Sequence, residues 1–402
     1  MINDLTINFI KDTYKKEAFK INPTCYFYDL TKIDENIKRL EENFPEQISL
    51  YYAMKANPHK EIMNTMKNNS FVKGIEIASS GELDIALNYY KSSKIIFTGP
   101  GKTEYELAKA ISKKINLINV ESIVEAIRIN NIAKKLNIDN VNILIRVNLN
   151  YALTDSYEQM SGCSTKMGID EDVLTDSLKY INNLERITIK GVHVFAASGV
   201  LDYKALIKSQ VYIFELVKKI EQEGYNIDII DFGGGLGIDY TNSNKHFDVL
   251  NYSLELKKII EKYKFQNKEI IMELGTYLVG NAGYYTSKII DIKKIKNKKH
   301  IIIAGGVNHM GLPLEMQRKH PVYIINENNE KLYDEQESVY KEKADISGPL
   351  CMVTDKLSWD DYLEKAEIGD IVVFRQAGAY CYGEGMHDFL SHMYPEELIF
   401  RS

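Results

Sequence analysis

The stretch ISLYYAMKANPHK, residues 48–60, joins an apolar and aromatic run to a turn that contains Lys55, Asn57 and Pro58. A short apolar run bounded by such a turn predicts a buried strand. The same arrangement recurs along the chain, each time followed by a longer amphipathic stretch. The predicted strands are ISLYYAM (48–54), GIEIA (74–78), KIIFT (94–98), INLINV (115–120), NILIRVN (142–148), IKGVHVF (189–195), IDIIDF (227–232) and EIIME (269–273).

Eight strand-and-helix repeats between residues 48 and 273 predict an α/β fold. We expect a (β/α)8 TIM-like barrel, which typically takes about 250 residues. The intervening stretches have helical periodicity: Leu206, Ile213 and Val217, for example, fall on one apolar stripe. An open, doubly wound sheet is the alternative that the same strand pattern allows.

After Glu273 the pattern changes to β-runs joined by turns, such as SKIIDIKKI (287–295), HIIIAGG (300–306) and DIVVFRQ (370–376). These runs predict an all-β second domain. The strand-like TCYFY (24–28) precedes the barrel and is expected to return to this domain. The predicted domains are a barrel at residues 30–275 and a Greek-key-like β-domain formed by residues 1–29 and 276–402.

The composition excludes several classes of function. The 402 residues have a formal net charge of −6 and no concentrated basic tract, which argues against nucleic acid or a membrane surface as partner. The four cysteines are scattered without a Cys-x-x-Cys pair, so neither a metal site nor a disulfide framework is predicted. The N-terminal segment has no apolar run typical of a signal sequence, and we expect a cytoplasmic protein.

In a barrel of this kind the chemistry lies where strands end. Lys55 ends the first predicted strand, and desolvation there would suit a lysine that forms a Schiff base. Taken alone, Lys55 is better interpreted as a surface lysine at a loop start. Gly233, Gly234 and Gly235 follow the seventh strand, where glycine-rich loops bind phosphate, although a plain tight turn is the alternative.

Glu273 ends the eighth strand inside an apolar run, where a carboxylate needs a partner such as a protonated ring nitrogen; capping of the next loop is the alternative. At the end of the sixth strand, Phe195 could stack on a flat cofactor and Ser198 could bind its phosphate. We interpret His193, on the same strand, as a satisfied core residue. Arg146 lies within the fifth strand and must be paired if it points inward.

The second domain contains two turn-like segments that each present one reactive side chain. These are SGPLC (347–351), which ends in Cys351, and QAGAY (376–380), which ends in Tyr380. By itself, Cys351 is typical of a small buried hydrophobic residue.

Taken together, the motifs resemble the fold-type III pyridoxal-phosphate decarboxylases, the family of the diaminopimelate and ornithine decarboxylases, which share the alanine racemase-like fold. The motifs that carry this resemblance are YYAMKANPH (51–59), IASSGEL (77–83), FTGPGKT (97–103), STKMGID (164–170), DFGGGLG (231–237), SGPLC with Asp355, and QAGAY. Several ordered motifs along one chain are far more specific than any single pattern.

The resemblance implies pyridoxal 5'-phosphate as cofactor, bound covalently by Lys55 and paired at its ring nitrogen with Glu273. It implies that Gly233, Gly234 and Gly235 hold the phosphate together with Ser198 and Tyr380. Phe195 and Arg146 are the further predicted cofactor contacts. The resemblance also implies a homodimer in which Cys351 reaches the neighbouring subunit's site and protonates the carbanion.

The chain also departs from the diaminopimelate pattern. Phe195 stands where a second histidine is usual, and Thr276, Leu312 and Met352 replace charged residues of the substrate clamp. With ELGTYLVGNAG (273–283), GGVNH (305–309) and DFLSH (388–392), the chain is similar to a subgroup that includes the carrier-protein-linked glutamyl decarboxylase of butirosin biosynthesis and enzymes of exopolysaccharide clusters. His309, Arg318 and Asp355 are candidate substrate contacts.

The prediction is therefore a decarboxylase that removes the α-carboxylate of an amino acid, either a modified small molecule or an aminoacyl carrier protein. The alternatives are diaminopimelate decarboxylase, a racemase, and a non-catalytic relative that regulates a partner. Glu273 favours decarboxylation over racemisation, because the alanine racemases place an arginine at the ring nitrogen.

Overall fold

The computed structural model describes residues 2–153, 158–241, 245–327, 330–331 and 334–402. Its strands are β1 Thr24–Asp29, β2 Ile48–Ala53, β3 Val72–Ile77, β4 Ile95–Phe97, β5 Leu117–Val120, β6 Val141–Asn148, β7 Glu158–Gln159, β8 Ile169–Asp170, β9 Ile187–His193, β10 Ala197–Ser198, β11 Ile229–Asp231, β12 Glu269–Leu274, β13 Gly283–Ile295, β14 Lys298–Ile303, β15 Val322–Ile325, β16 Val339–Ser347, β17 Lys356–Ala366, β18 Ile371–Arg375 and β19 Glu396–Phe400.

The helices are α1 Asp4–Tyr14, α2 Ala18–Ile21, α3 Leu30–Glu41, α4 Lys60–Asn68, α5 Ser80–Ala86, α6 Glu104–Ser112, α7 Ile123–Leu136, α8 Leu174–Asn182, α9 Tyr203–Gln222, α10 Val249–Tyr263, α11 Thr276–Val279 and α12 Leu312–Met316. Short 3-10 turns include Met54–Ala56, directly after β2. Across the described ranges, no helix combines the length and apolar character needed to cross a membrane.

Eight parallel strands form a closed barrel, as predicted. The pairing runs β5-β4-β3-β2-β12-β11-β9-β6, and β6 pairs back with β5. This closure excludes the open sheet. Because both faces of such strands are covered, they are almost continuously apolar, and β4 and β5 are buried at every position.

Local sequence signals position the barrel helices. Thr103 and Glu106 form a reciprocal capping box at the start of α6, and the Asp202 side chain caps α9 by accepting from the Lys204 N–H. The predicted stripe of α9 is buried, including Leu206 and Val217. The carboxyl ends of the strands and the starts of the helices are therefore held in defined positions around one end of the barrel.

The chain divides into two compact units. One comprises residues 36–238 and 246–277 and contains the barrel; the other comprises residues 1–35, 239–245 and 278–402. The segment 239–245 lies with the β-domain, although the sequence prediction placed it in the barrel. This segment directly follows the glycine-rich loop after β11. It could not be assigned from the sequence because a loop has neither helical nor strand periodicity.

The β-domain is a mixed sheet with added helices rather than an all-β unit. Its strands run β15-β18-β13-β14-β16-β17, and β1 pairs antiparallel with β13 and parallel with β19, so the predicted return of the N-terminal strand is confirmed. The helix α1 covers one core of this unit, in which Ile10 packs with Phe27, Tyr284 and Val373. Its asparagine cap, Asn3, accepts a hydrogen bond from the Thr6 N–H.

Candidate active site

Lys55 lies in the 3-10 turn that follows β2. Its Nζ is 3.0 and 3.1 Å from the two carboxylate oxygens of Glu76, near the end of the neighbouring strand β3. The lysine side chain is 37% exposed and the glutamate side chain is 0% exposed. Lys55 is therefore an accessible amine that is held by a buried acid, rather than a lysine in apolar surroundings.

Glu273, near the end of β12, is the second buried acid of this region. Its Oε1 lies 3.5 Å from Thr98 Oγ1 and 3.4 Å from Asn119 Nδ2, and Asn119 also donates to Thr98 Oγ1 over 2.9 Å. Its Oε2 lies 3.5 Å from His193 Nε2. Polar groups from three other strand ends therefore surround the carboxylate.

The ionisation of the buried acids differs. Burial acts to raise the pKa of Glu273, but its attraction to His193 and Lys55 and its polar contacts with the nearby His193 and Asp231 side chains together lower it to about 2. Burial and repulsion by Glu273 raise the pKa of Asp231 well above its ordinary value. Burial also raises the pKa of Glu76, and Lys55 opposes that shift. The surroundings therefore shift the two pKa values in opposite directions, that of Glu273 downwards and that of Asp231 upwards.

His193 corrects the sequence interpretation. The residue is fully buried, but neither ring nitrogen makes a normal hydrogen bond to the described residues, and the 3.5 Å contact between Nε2 and Glu273 Oε2 is too long to be a good one, so His193 is not a satisfied core histidine. His193 lacks such a bond because it lies at the end of β9, where its neighbour in register is Asp231 of β11. A buried imidazole without a bond is a polar group that a bound molecule or a neighbouring acid can satisfy.

The glycine-rich loop lies directly over these acids. Gly233 has φ +60°, and a Cβ at that position would lie 2.9 Å from Phe195 Cβ. A Cβ on Gly234 would lie 2.7 Å from the Glu273 carbonyl oxygen. Neither position has room for a side chain, and the Phe195 ring packs against the bare backbone of this loop.

The loop that contains Ser198 is tied to the same glycines. The Val200 N–H donates to the Gly235 carbonyl over 2.8 Å, and the Gly237 N–H donates to the Val200 carbonyl over 2.9 Å. Ser198 itself is half-buried in the short strand β10. The structure therefore brings Phe195, Ser198 and the three glycines together around one backbone cradle.

Arg146 is paired, as the sequence required of an inward-pointing arginine. Its Nη1 lies 2.7 Å from Glu121 Oε1, and both side chains are buried. Glu121 Oε2 also accepts from the Gly168 N–H over 2.8 Å, within the predicted STKMGID loop. A second buried pair, Lys102 with Glu125 at 2.7 Å, lies beside it. The described bonds of Arg146 thus go to the protein, and its contact with a cofactor stays a prediction.

In the β-domain unit, Cys351 is a free, exposed thiol, so its interpretation as a small buried hydrophobic residue is wrong. Asp355 explains why: its buried carboxylate accepts from the Leu350 N–H over 2.7 Å and from the Val307 N–H over 2.8 Å. These bonds fold the SGPLC turn back so that its last residue faces outward. Both carboxylate oxygens serve the backbone, which does not support direct contact of Asp355 with substrate.

His309 and Arg318 also lie in this unit. His309 is 2% exposed; its Nδ1 lies 3.1 Å from the Tyr285 hydroxyl and its Nε2 lies 2.8 Å from the Met393 carbonyl. Burial lowers the pKa of His309 to about 4. With both nitrogens engaged, His309 braces the domain, and its predicted substrate contact lacks support.

Two further predicted residues, Arg318 and Tyr380, also lie in this unit. The Arg318 guanidinium stacks on the Tyr240 ring, with its carbon 3.7 Å from the ring centroid. Tyr380 is half-buried and takes a left-handed conformation with φ +64°. Such a conformation is uncommon for a non-glycine residue and is often found at functional turns.

A family model described as the pyridoxal-binding domain of the pyridoxal-dependent decarboxylases matches residues 30–280. The chain belongs to this family. A Staphylococcus aureus 2-[(L-alanin-3-ylcarbamoyl)methyl]-2-hydroxybutanedioate decarboxylase is 31% identical over 377 residues, 93% of this chain and 94% of that protein. An L-glutamyl-[BtrI acyl-carrier protein] decarboxylase from Niallia circulans is 28% identical and covers 94% and 88%. A diaminopimelate decarboxylase from Aquifex aeolicus is 30% identical and covers 94% and 87%.

The solved structure of a diaminopimelate decarboxylase from Methanocaldococcus jannaschii has a TM-score of 0.85 and 27% identity, covering 97% of this chain and 88% of that one. The chain is thus a pyridoxal-phosphate-dependent amino-acid decarboxylase, and its fold is the fold-type III combination of barrel and β-domain. The barrel fits this cofactor: it offers an accessible lysine, a buried glutamate with a lowered pKa, a buried imidazole without a normal hydrogen bond, and a glycine cradle.

Glu76 and Asp231 are the site residues that sequence reasoning missed. Both lie within predicted strands, Glu76 as the one acid of GIEIA (74–78) and Asp231 as the second of two acids in IDIIDF (227–232). The acid itself is the signal that could have identified them, because an acid in a buried strand needs a partner. Asn119, in INLINV (115–120), carries a weaker form of the same signal.

Proposed function

We propose that this decarboxylase acts on an α-amino acid whose side chain carries an acyl linkage, either to a small acid or to a carrier protein. The observation that carries this proposal is the loss of charge at Thr276, Leu312 and Met352, where diaminopimelate decarboxylases hold a free second amino-acid group. Leu312 is buried near the start of α12, so it offers no charge to a substrate. An acylated side chain needs no such clamp.

The relatives support this substrate class. The S. aureus relative is named for a substrate in which an alanine side chain is joined to a citrate-like acid through an amide, and the N. circulans relative is named for a carrier-linked glutamyl group. The first name specifies an extension of the amino-acid side chain, and the second specifies an amino acid joined to a carrier protein. Both substrates are therefore acyl-linked amino acids, attached to a small acid in one name and to a carrier protein in the other.

In the proposed site Lys55 binds the cofactor covalently, with Glu76 holding the amine in place beforehand. Glu273 would pair with the ring nitrogen, Phe195 would contact the ring, and Arg146 of β6 would be a further cofactor contact. Backbone N–H groups of Gly233, Gly234 and Gly235, with the hydroxyls of Ser198 and Tyr380, bind the phosphate. When bound, the cofactor supplies an electron sink for the pair left behind by CO2.

The proposed proton donor is Cys351. Its thiol is exposed at the end of a turn that Asp355 fixes, so it is accessible to a partner subunit. Protonation at Cα by a positioned group is more selective than protonation by bulk water. Arg318, which stacks on Tyr240, is the proposed contact for an anionic extension of the substrate.

We further propose a homodimer in which Cys351 completes the neighbouring subunit's site. Next to the thiol, Val353 is 95% exposed, and Phe389, Leu390 and Met393 are exposed apolar residues of the same unit. Leu390 and Ser391 both have positive φ, at +57° and +54°. Exposed apolar residues on a backbone with two consecutive unfavourable conformations are typical of a segment that is stabilised by a partner surface.

The test is CO2 release from a matched set of substrates: free glutamate, meso-diaminopimelate, an N-acylated 2,3-diaminopropionate with a citrate-like acyl group, and glutamyl carrier protein. We expect an acylated substrate to exceed diaminopimelate by at least tenfold in kcat/KM. Each charged group of diaminopimelate left without its partner costs roughly 1.5–3 kcal/mol. Turnover of diaminopimelate within tenfold of the best substrate would contradict the proposal and favour the lysine-forming activity of the diaminopimelate relatives.

A racemase or a non-catalytic relative would give other results in the same assay. A racemase would invert Cα without CO2 release. A non-catalytic protein would do neither, even with cofactor bound and with visible absorbance that borohydride removes. The carrier-protein substrate and the small acylated amino acid form separate arms, so the two sources of the extension are distinguished directly.

A further inference from the structure

Three buried side chains from three adjacent strands lie together below the glycine-rich loop. His193 ends β9, Asp231 ends β11 and Glu273 lies near the end of β12. One nitrogen or oxygen atom from each lies within 4.8 Å of the other two, and all three residues are buried. The pairing of β11 with both neighbours fixes this arrangement, since Asp231 is opposite His193 on one side and Ile271 on the other.

Two carboxylates this close and this well buried cannot both be ionised. Repulsion between like charges in a low-dielectric interior leaves one of them neutral. The hydrogen bonds indicate which one. Asp231 Oδ1 accepts from the Gly233 N–H over 2.8 Å, whereas its Oδ2 has no partner among the described residues. Asp231 therefore has one oxygen fixed as an acceptor and the other left to carry a proton.

Glu273 has the surroundings of an anion. Asn119 Nδ2 and Thr98 Oγ1 face its Oε1, and His193 Nε2 faces its Oε2. The remaining charged groups that face this region are paired with each other: Glu76 with Lys55 and Arg146 with Glu121. Among the described side chains, two groups could therefore donate a hydrogen bond to Glu273 without giving up another one. They are the imidazole of His193 and Oδ2 of Asp231.

We propose that Asp231 and His193 are positioning residues that act as a proton-sharing pair for Glu273. Asp231 holds a proton on Oδ2, His193 presents a ring N–H, and together they keep Glu273 ionised and oriented. The inference rests on the proposed role of Glu273 at the cofactor's ring nitrogen. It assigns to the aspartate of the DFGGG segment a task separate from the phosphate-binding task of its glycines.

The proton on Asp231 can be located without any assay of activity. The infrared spectrum of the holoenzyme at neutral pH should contain the carbonyl stretch of a buried, protonated carboxylic acid. Cell-free synthesis with 13C at the aspartate side-chain carboxyl should move that band to lower frequency, which separates an aspartic acid from Glu273 and Glu76. The band should disappear in Asp231→Asn and persist in Asp355→Asn, a matched variant of another buried aspartate.

The effect on Glu273 is tested with paired substitutions of His193. Gln retains an N–H donor, whereas Leu removes it at similar size. With 15N-labelled cofactor, the ring nitrogen should stay protonated in His193→Gln and lose protonation in His193→Leu. We expect kcat to fall about 10–100-fold in the Leu variant, the usual range for residues that orient a functional ligand, with KM little changed. The Gln variant should stay within about fivefold of wild type on the same scale.

Several outcomes would overturn the inference. In the infrared spectrum, they are an acid band that does not shift with aspartate labelling and a band that remains in Asp231→Asn. In the other measurements, they are equal ring-nitrogen spectra for the two His193 variants and a stoichiometric divalent cation in the purified protein. A wild-type protein that binds no cofactor would instead contradict the proposed function. In that case the labelled infrared band would still decide whether Asp231 holds the proton.

Discussion

In the barrel, one cluster of two buried acids and a buried histidine has incomplete hydrogen bonding, whereas in the β-domain the buried side chains of Asp355 and His309 are hydrogen-bonded to neighbouring groups. Glu273, Asp231 and His193 illustrate the first arrangement. Asp355, with two backbone donors, and His309, bonded to a tyrosine and a carbonyl, illustrate the second.

This difference distinguishes residues that are available for catalysis from residues that stabilise the fold. A charged group that keeps unused hydrogen-bonding capacity in a buried site is expensive for stability and available for a ligand. A carboxylate whose oxygens are both used by the backbone stabilises a turn and has little left to offer. We therefore expect substitutions in the barrel cluster to change chemistry and substitutions of the β-domain braces to change stability.

The largest effect should come from Lys55→Ala. Without the amine there is no covalent attachment of the cofactor, and turnover should be lost while the protein stays folded, because the side chain is partly exposed. Visible absorbance after borohydride treatment and CO2 release measure the two effects. Removal of Lys55 also leaves Glu76 without its partner, so Lys55→Arg serves as the control that retains the charge. Turnover in Lys55→Ala would contradict the assignment.

Glu273→Gln should lower kcat about 10²–10³-fold, the range found when a group that stabilises transition-state charge is removed. The phosphate contacts remain, so the affinity for the cofactor should change little. Equilibrium binding of the cofactor and the rate of CO2 release separate the two effects. If the variant loses cofactor binding but the cofactor-loaded fraction turns over normally, Glu273 has a structural role. The proposed difference between the barrel cluster and the β-domain would then be wrong for Glu273.

Cys351 is an exception to this difference between the two regions, because it lies in the β-domain but is proposed to act as a proton donor. Mixing inactive Lys55→Ala with inactive Cys351→Ala should restore about a quarter of wild-type activity after random exchange in a twofold dimer. Exchange itself is followed by mixing differently tagged wild-type subunits. If subunits exchange and no activity returns, each site takes both residues from one chain.

The smallest effect should be on stability under acid conditions, through the neutral histidines of the β-domain. Burial lowers the pKa of His309 from 6.5 to about 4 and that of His320 to about 3. Above pH 6.5 both residues are neutral in the folded and unfolded states. As pH falls from 6.5 towards 4, the unfolded chain takes up protons first, so this stability is lost progressively, by about 3 kcal/mol for each histidine.

Chemical denaturation between pH 7 and pH 4 measures this loss. His309→Gln should be less stable than wild type at pH 7 but should lose less stability on acidification. His246→Gln is the matched control, since His246 is exposed on the barrel unit. A wild-type pH dependence in His309→Gln would mean that His309 is not the buried neutral brace that its contacts indicate.

Much of the fold could be predicted from the sequence because its cause is local. Each barrel strand is a short apolar run because both faces of a parallel strand are covered, and each run ends at a recognisable turn or cap. Chain order then places Lys55, Glu273 and the three glycines at the carboxyl ends of their strands, without any knowledge of the contacts between them.

The electrostatic partners were decided by the tertiary structure alone. Asp231 and Glu273 lie 42 positions apart in the numbering, and His193 lies 38 positions before Asp231. The ionisation of each depends on burial and on its neighbours across the barrel, which no local pattern encodes. His193 and Cys351 show the same limit: one was interpreted as a satisfied core residue and is unbonded, and the other fitted a buried residue and is exposed. Residue types and chain order are properties of the sequence, whereas a proton's position depends on distances that exist only once the strands have closed.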